Sequence, residues 1–302
     1  MLKNWLQAFR LKTLPLAFAA ITMGAFVANV ENSLRWEVYG LALLTATLLQ
    51  ILSNLANDYG DFKKGTDNEN RVGPTRALQS GAITEKAMLN AVILLTILSL
   101  IAGIFLLYIG LQDFSDWRTL TMLGIGLAAI AAAIKYTVGK SAYGYSGLGD
   151  VFVFIFFGLV SVLGSYFLMT GNLTYQPVLP AISVGLLAVG VLNINNIRDI
   201  KNDKASNKIT LAVKLGRNKA KTYQMVITLV AFLTLSSYIS GNIEPIWFYL
   251  LATVLWAPVL LSYYRIVKNN EGEEQKLNKE LKAYSLGTAL LVFGLFGTSF
   301  LL

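Results

Sequence analysis

Long apolar runs alternate with short polar segments along the whole chain. A helix needs about 20 mostly apolar residues to cross a bilayer, and nine runs reach that length. The pattern therefore predicts an all-α, polytopic membrane protein with about nine transmembrane helices. The predicted spans lie near residues 11–30, 37–58, 87–109, 118–137, 148–170, 177–198, 221–240, 245–266 and 281–302.

Lysine and arginine residues fall almost entirely on alternate loops between these spans. With nine spans, the side that contains the N-terminus collects all of the 25 basic residues except Arg35 and Arg118. Cytoplasmic loops are enriched in Lys and Arg, so we expect a multi-pass protein of a bacterial cytoplasmic (inner) membrane, with its N-terminus inside. The first run is long enough to span and many more follow, so we expect a retained helix and not a cleaved signal peptide.

The composition narrows both the protein class and the available chemistry. Hydrophobic residues make up 55% and charged residues 14% of the chain, against about 25% charged in ordinary soluble domains, which argues against a soluble helical protein. The sequence contains no cysteine and no histidine, so thiol nucleophiles, disulfides, imidazole bases and Cys or His zinc sites are excluded. The net charge of +8 is attributed to the basic cytoplasmic loops, and we expect no nucleic-acid partner.

Two acidic arrays stand at the cytoplasmic ends of the second and sixth predicted spans. In the first, NLANDYGDFKKGTD, Asn54 is followed by Asp58 and then by Asp61. In the second, NINNIRDIKNDK, Asn195 is followed by aspartates four and eight residues later. Residues three or four apart share one face of a helix. The positions of the arrays, four spans apart, predict two four-helix pseudo-repeats plus a ninth helix.

The acidic arrays open the two longest loops, about 59–86 and 199–220, which we expect to be the catalytic loops of a single membrane domain over residues 1–302. Clustered carboxylates repel one another unless a cation lies between them. Mg²⁺ binds carboxylate and amide oxygens and commonly bridges them to substrate phosphates, so we expect two Mg²⁺ ions around one diphosphate. Basic residues on the same side are Lys63, Lys64, Arg71, Arg76, Lys140, Arg198, Lys201 and Lys208.

Two further acidic features lie outside the arrays. Asp150 either starts the fifth span, where the helix dipole would favour its charge, or belongs to the site. The patch formed by Glu271, Glu273 and Glu274 is expected to be a solvated loop.

The arrays carry a specific resemblance. Asn57, Asp58 and Asp61 match the start of an NDxxDxxxD motif, whereas Gly65 stands at the place of the third aspartate and Asp67 follows two residues later. A DxxxD motif with a following Lys-x-Thr is matched by Asp199, Asp203, Lys208 and Thr210. These motifs resemble the UbiA-type intramembrane prenyltransferases, and among them the branch that prenylates 1,4-dihydroxy-2-naphthoate in menaquinone synthesis. The same branch is resembled by the segments RVGPTRALQSGAIT and YTVGKSAYGYSGLGDVFVFIFFG.

The resemblance implies a mechanism that needs neither histidine nor cysteine. Mg²⁺, with Mn²⁺ able to substitute, would neutralise the diphosphate of a polyprenyl diphosphate donor. Basic side chains would take up charge as the C–O bond breaks, and an aromatic acceptor would attack C1 of the prenyl chain. In this branch the acceptor also loses CO2, which gives a demethylmenaquinone. The prenyl tail would lie among the spans, in contact with the lipid bilayer.

The resemblance also implies roles for particular residues. The expected metal ligands are Asp58, Asp61, Asp67, Asp199 and Asp203. The expected catalytic residues are Lys140, Arg71, Arg76 and Lys208. Diphosphate and substrate binding is expected from Asn54, Asn57, Lys63, Arg198, Tyr136, Tyr143 and Asn195. Rings that could shield the allylic cation are those of Tyr136, Tyr143, Tyr145 and Phe152.

Three alternatives stay open. Intramembrane carboxylates can mark a transporter, although they then sit near the middle of the bilayer, whereas here they fall at span ends. A CDP-alcohol phosphotransferase also uses paired aspartates, but its Asp-Gly-x-x-Ala-Arg signature is absent from the sequence. Within the prenyltransferases, 4-hydroxybenzoate, homogentisate or haem could be the acceptor.

Overall fold

The computed structural model describes residues 2–69 and 71–302, and the regular secondary structure of this described part is helical throughout. Nine helical segments within it are long and apolar enough to cross a membrane, which confirms the predicted class. A short helix, α1 (Leu2–Phe9), comes first. The later helices are α2 (Leu14–Val30), α3 (Trp36–Lys63), α4 (Glu85–Leu111), α5 (Trp117–Lys135), α6 (Gly149–Thr170), α7 (Val178–Ala205), α8 (Arg217–Asn242), α9 (Ile246–Lys268) and α10 (Leu277–Thr298).

The two helices that carry the acidic arrays continue beyond their apolar runs. Helix α3 ends at Lys63 and α7 at Ala205, so the loop starts predicted at residues 59 and 199 are wrong. Hydropathy locates the part of a helix that crosses the bilayer, whereas backbone hydrogen bonding continues into the polar segment that follows. Both arrays therefore lie on regular helix, which fixes the direction of their side chains.

The first predicted span also begins differently. The chain turns at Arg10, whose φ of 51° is left-handed and uncommon for a residue with a side chain. Helix α2 then starts at Leu14, whereas the run of apolar residues predicted a start near 11. Before the turn, α1 exposes Leu2 and Leu6, as is typical of a helix that lies along a membrane surface.

Helix α2 occupies the centre of the bundle. It packs against α3, α6, α7 and α10, and its alanines, including Ala19 and Ala20, are fully buried. Small residues let neighbouring helix backbones approach closely, which favours association inside a bilayer. Further along α2, Phe26 stacks on Phe248 with ring centroids 6.1 Å apart. This central packing holds the helices that present the acidic arrays at one end.

Helices α6 and α7 pack closely against each other at two glycines, Gly158 and Gly185. A methyl group at Gly158 would lie 2.7 Å from the Cα atom of Gly185, so neither position has room for a side chain. Helix α6 contains a π-helical segment, Phe154–Leu163, in which Ser161 donates a 2.7 Å hydrogen bond to the carbonyl oxygen of Phe156. The close contact brings the start of α6 beside the acidic end of α7.

Candidate active site

The ends of α3 and α7, which are remote in sequence, meet at one end of the bundle. Asn202 on α7 donates a 3.0 Å hydrogen bond to the carbonyl oxygen of Thr66, just after α3. The loop after α5 closes the same corner, because the hydroxyl groups of Thr66 and Tyr145 are 2.6 Å apart. The two acidic arrays therefore face a common space, as the pseudo-repeat predicted.

Asp61 joins the two arrays. Its carboxylate accepts a 2.7 Å hydrogen bond from the hydroxyl of Tyr145 and lies 3.4 Å from the ammonium group of Lys208. Lys208 is held in place because its backbone N–H donates a 2.8 Å hydrogen bond to the carbonyl oxygen of Asp203. The pKa of Lys208 is raised, because the charges of Asp61 and Asp203 together outweigh the opposing effect of burial. Lys208 is therefore a half-buried cation, with 12% of its side chain exposed.

Asp58 is paired with two arginines. Arg10, at the turn before α2, forms an ion pair with the Asp58 carboxylate, and the Nε atom of Arg76 lies 3.5 Å from the same oxygen. Asp58 is only 1% exposed. Burial, together with the charge of Arg10, lowers the pKa of Arg76 to about 9. Arg10 was not predicted as a site residue, because no short motif marks it.

Asp67 lies inside the site. The side chain is 1% exposed, and its nearest cations are Arg71, at 3.2 Å, and Arg76, at 3.9 Å. Neither carboxylate oxygen of Asp67 has a hydrogen-bond partner in the described part of the chain. Burial and the charge of Asp61 raise the pKa of Asp67. A carboxylate in this position is poised to take a cationic ligand.

The second array is organised by an arginine. Arg198 contacts both oxygens of Asp199, at 2.8 and 2.5 Å, and also donates to the side-chain oxygens of Asn195 and Asn278, at 2.8 and 2.9 Å. The last contact ties α7 to the start of α10. Asp203 is also buried, 4% exposed. All three members of the array thus lie on the inner face of the α7 end, as the four-residue spacing predicted.

Basic residues from both halves of the chain gather around these carboxylates. Lys12 is close enough to interact electrostatically with Arg76, Arg10, Arg198 and Arg71; we call these five residues the basic cluster. Like charges repel, so such a cluster is stabilised by an anion between its members. The arrangement therefore suits a polyanionic ligand better than it suits the carboxylates alone.

Several residues expected in the site have other partners. Lys63 pairs at 2.6 Å with the exposed Glu85 on α4, and Lys140 is exposed, with no ion pair to any of the site aspartates among residues 2–69 and 71–302. Asn54 donates to the carbonyl oxygen of Phe9, at 3.0 Å, which fastens α1 to α3. These three residues therefore lie at the margin of the site or support it.

Asn57 and Lys64 are tied to the loop after α5. The side-chain oxygen of Asn57 accepts a 3.4 Å hydrogen bond from Thr137, and the ammonium group of Lys64 lies 3.9 Å from the ring centroid of Tyr145. The remaining basic candidate, Lys201, is exposed and pairs with Glu271 at 3.0 Å. Its position on the surface removes it from the set of cations that face the aspartates.

Aromatic rings form a column from the acidic end into the bundle. Tyr136 meets Tyr143 edge to face at 5.3 Å, and Tyr143 stacks on Phe152 at 3.9 Å. The next ring, Phe156, follows at 6.3 Å. Burial and the charges of Asp61, Asp150 and Asp203 raise the pKa of Tyr136, so its hydroxyl stays protonated. The column offers flat, apolar surface beside the charged groups.

The donor set of the site fits Mg²⁺. All five predicted ligands are carboxylates, the side chains that this ion prefers, and the two oxygens of Asp67 together with the side-chain oxygen of Asn202 have no hydrogen-bond partner in the described part. Within that part, no three acidic side chains lie close enough together to hold one ion. Asp58, Asp61 and Asp199 are instead paired with basic residues, so binding of a metal requires these cations to exchange partners.

The family of the chain follows from comparison with known proteins. The UbiA prenyltransferase family matches residues 17–296, and the protein belongs to this family. A 1,4-dihydroxy-2-naphthoate octaprenyltransferase of Escherichia coli K12 is 42% identical over 97% of this chain and 94% of its own length. A protein of the same name from Haemophilus influenzae is 47% identical over 77% of this chain and 75% of its own length.

The fold is shared with solved members of the family. A UbiA homologue from Archaeoglobus fulgidus, bound to DMAPP and Mg²⁺, superposes with a TM-score of 0.64 at 16% identity, over 99% of this chain and 100% of its own. At this low identity the comparison bears on the architecture alone.

Proposed function

We propose that this protein transfers a polyprenyl group from a polyprenyl diphosphate to 1,4-dihydroxy-2-naphthoate, with loss of diphosphate and CO2, to give a demethylmenaquinone in its reduced, hydroquinone form. Two relatives with this acceptor in their name are 42% and 47% identical to the chain. Identity at this level, over most of the chain in the first case, favours a shared acceptor over 4-hydroxybenzoate or homogentisate.

The basic cluster is the observation that carries the proposal. Lys12 interacts with the other four members of the cluster. Arg10 and Arg76 share Asp58, Arg71 contacts Asp67, and Lys208 contacts Asp61. A diphosphate is the one part of the two substrates with enough negative charge to offset such a cluster. A transporter would place its ionic residues near the middle of the bilayer, whereas these lie at the ends of α3 and α7.

The roles of the residues follow from their positions. Mg²⁺, as two ions that Mn²⁺ can replace, would be held by Asp58, Asp61, Asp67, Asp199 and Asp203. Bound metal supplies charge neutralisation, which makes the diphosphate a better leaving group. Arg71, Arg76 and Lys208 bind the diphosphate oxygens and stabilise the charge that develops as the C–O bond breaks. Lys140 and Lys63 lie further out and would at most attract the anion.

The remaining substrate parts are assigned to the apolar side of the site. The aromatic column beside Tyr136 and Tyr143 would bind the acceptor ring and face the allylic cation. The prenyl tail would extend between the helices into the bilayer. The concentration of basic residues at this end favours a cytoplasmic site and a cytoplasmic N-terminus in a bacterial inner membrane.

The test uses purified, full-length protein in lipid nanodiscs with Mg²⁺ and a set of polyprenyl diphosphates of different chain length. Each donor is offered with 1,4-dihydroxy-2-naphthoate labelled in its carboxyl carbon, with 4-hydroxybenzoate or with homogentisate. We expect prenylated product and stoichiometric labelled CO2 from the naphthoate alone. Product from another acceptor only, or no covalent product from any of them, would overturn the proposal. Full turnover in excess EDTA would overturn the role of the metal.

A further inference from the structure

Asp150 is a buried carboxylate that the proposed metal and diphosphate chemistry does not use. It lies at the second residue of α6, is 6% exposed and is close enough to Tyr223 on α8 to interact with its hydroxyl. Its Oδ2 atom is buried and has no hydrogen-bond partner in the described part of the chain. The N-terminus of α6 favours the negative charge of Asp150. It does not explain the unpaired Oδ2 atom, because buried polar atoms are nearly always hydrogen-bonded.

Tyr136 links Asp150 to the reaction site. The hydroxyl of Tyr136 would lie 3.2 Å from a Cβ atom placed on Gly149, the residue before Asp150. The same tyrosine feels the charges of Asp61, Asp150 and Asp203. Asp150 is therefore near the metal-binding arrays without belonging to either, and none of the cations paired with Asp58, Asp61, Asp67 or Asp199 is paired with it.

The aromatic column begins at Tyr136, whose ring meets Tyr143 edge to face at 5.3 Å. Phe152, two residues after Asp150, points to another face of α6, so Tyr136 is the link between the column and the carboxylate. A flat aromatic acceptor bound beside Tyr136 therefore has a carboxylate near its edge. A carboxylate with a free oxygen is a strong hydrogen-bond acceptor for a ring hydroxyl, which is the group that distinguishes a hydroxylated acceptor from other flat molecules.

We propose that Asp150 is the base for the acceptor: its free oxygen binds the hydroxyl group that neighbours the acceptor carboxylate and removes the proton of that hydroxyl during prenyl transfer. Tyr223 is a positioning residue that orients the Asp150 carboxylate. This inference rests on the proposed function, and it adds a catalytic residue to the five aspartates already assigned.

The proposed step is balanced. As the ring carbon that bears the carboxylate forms a bond to C1 of the prenyl chain, the C1–O bond to diphosphate breaks and its electron pair leaves with the diphosphate. The neighbouring hydroxyl gives its proton to Asp150 and becomes a ketone. The carboxylate then stands beside a ketone, so CO2 leaves and its electron pair restores the aromatic ring as an oxyanion. Asp150 returns the proton to this oxygen, so no other proton donor or redox partner is needed.

The experiment compares Asp150→Asn with Asp113→Asn, which removes a carboxylate from an exposed loop, in nanodiscs with Mg²⁺. We expect Asp150→Asn to lower kcat by about 10²-fold or more, the usual contribution of a general base. Binding of an unreactive prenyl thiodiphosphate should stay within threefold of wild type. Tyr223→Phe should lower kcat about tenfold, with Tyr284→Phe, which removes a buried hydroxyl from α10, as its control.

A second measurement separates a base from a structural residue. Ring substituents that make the acceptor hydroxyl more acidic should narrow the gap in kcat between wild type and Asp150→Asn, because such acceptors need less help to lose the proton. A constant gap, a kcat within threefold of wild type, or loss of thiodiphosphate binding in Asp150→Asn would each overturn the inference. Wild-type protein that fails to prenylate 1,4-dihydroxy-2-naphthoate would overturn the proposed function, and the role of Asp150 with it.

Discussion

The ammonium group of Lys208, in the loop after the second acidic array, lies 3.4 Å from the carboxylate of Asp61 in the first array. The two residues are separated by 147 positions in the chain. Their contact makes the two halves of the bundle parts of one charged site. The charges of Asp61 and Asp203 raise the pKa of the half-buried Lys208, and we expect the negative charge of a diphosphate to keep it protonated when the lysine exchanges Asp61 for a diphosphate oxygen.

Lys208→Gln is expected to lower kcat/KM about 10²- to 10³-fold, the usual effect of removing one donor that stabilises developing negative charge. Lys204→Gln is the matched control, because Lys204 is exposed on the last turn of α7. Steady-state rates of both variants, with thermal unfolding to confirm folding, decide the matter. Equal activities of the two variants would contradict the role of Lys208.

Arg10→Gln is expected to raise KM for the prenyl donor about 10- to 100-fold, which is the usual effect of removing a hydrogen bond to a charged group. The substitution removes a member of the basic cluster and leaves Asp58 with Arg76 alone. Lys3→Gln, an exposed charge on α1, is the control. If both variants keep the wild-type KM, the turn before α2 takes no part in donor binding.

Asp67 gives the metal-free protein a pH dependence of stability. Burial and the charge of Asp61 raise its pKa above the ordinary value of 3.8, so near the raised value the folded state binds more protons than the unfolded chain. The contribution of Asp67 to the free energy of unfolding is therefore greatest below pH 3.8, and it falls as the pH rises through the pKa of Asp67 in the folded protein. Denaturant unfolding in EDTA should show this slope in wild type and lack it in Asp67→Asn. Identical slopes would exclude Asp67 as its source.

Gly158→Ala is expected to lower the free energy of unfolding by about 1–3 kcal/mol, because the added methyl group meets the backbone of α7 at Gly185. Gly103→Ala is the control, since an added methyl group there meets nothing within 4 Å. We expect the control to be neutral or up to about 1 kcal/mol more stable. Thermal unfolding of the two variants in the same detergent measures the difference.

The architecture and the acidic part of the site were predictable from the sequence. Apolar runs of spanning length specify helices in a bilayer without any knowledge of tertiary contacts, and the four-residue spacing that begins at Asn195 places its aspartates on one helix face. The helix ends were less predictable. Lys63 and Ala205 lie beyond the apolar runs, where hydrogen bonding and not hydropathy keeps the chain helical.

The basic part of the site was only partly predictable. The enrichment of cations on one side follows from topology and does not say which of them face the aspartates. Arg10 turns inward because the backbone adopts a left-handed conformation there, whereas Lys63 turns outward to Glu85. Both outcomes depend on tertiary contacts.

The central claim is that the two acidic arrays form one metal-dependent site for the diphosphate. The most direct test measures Mg²⁺-dependent binding of an unreactive prenyl thiodiphosphate to wild type, Asp58→Asn, Asp199→Asn and Asp113→Asn. We predict that Asp58→Asn and Asp199→Asn each raise Kd about 100-fold or more, while Asp113→Asn binds as wild type does. Wild-type affinity in either of the first two variants would contradict the claim, because one array would then bind the donor without the other.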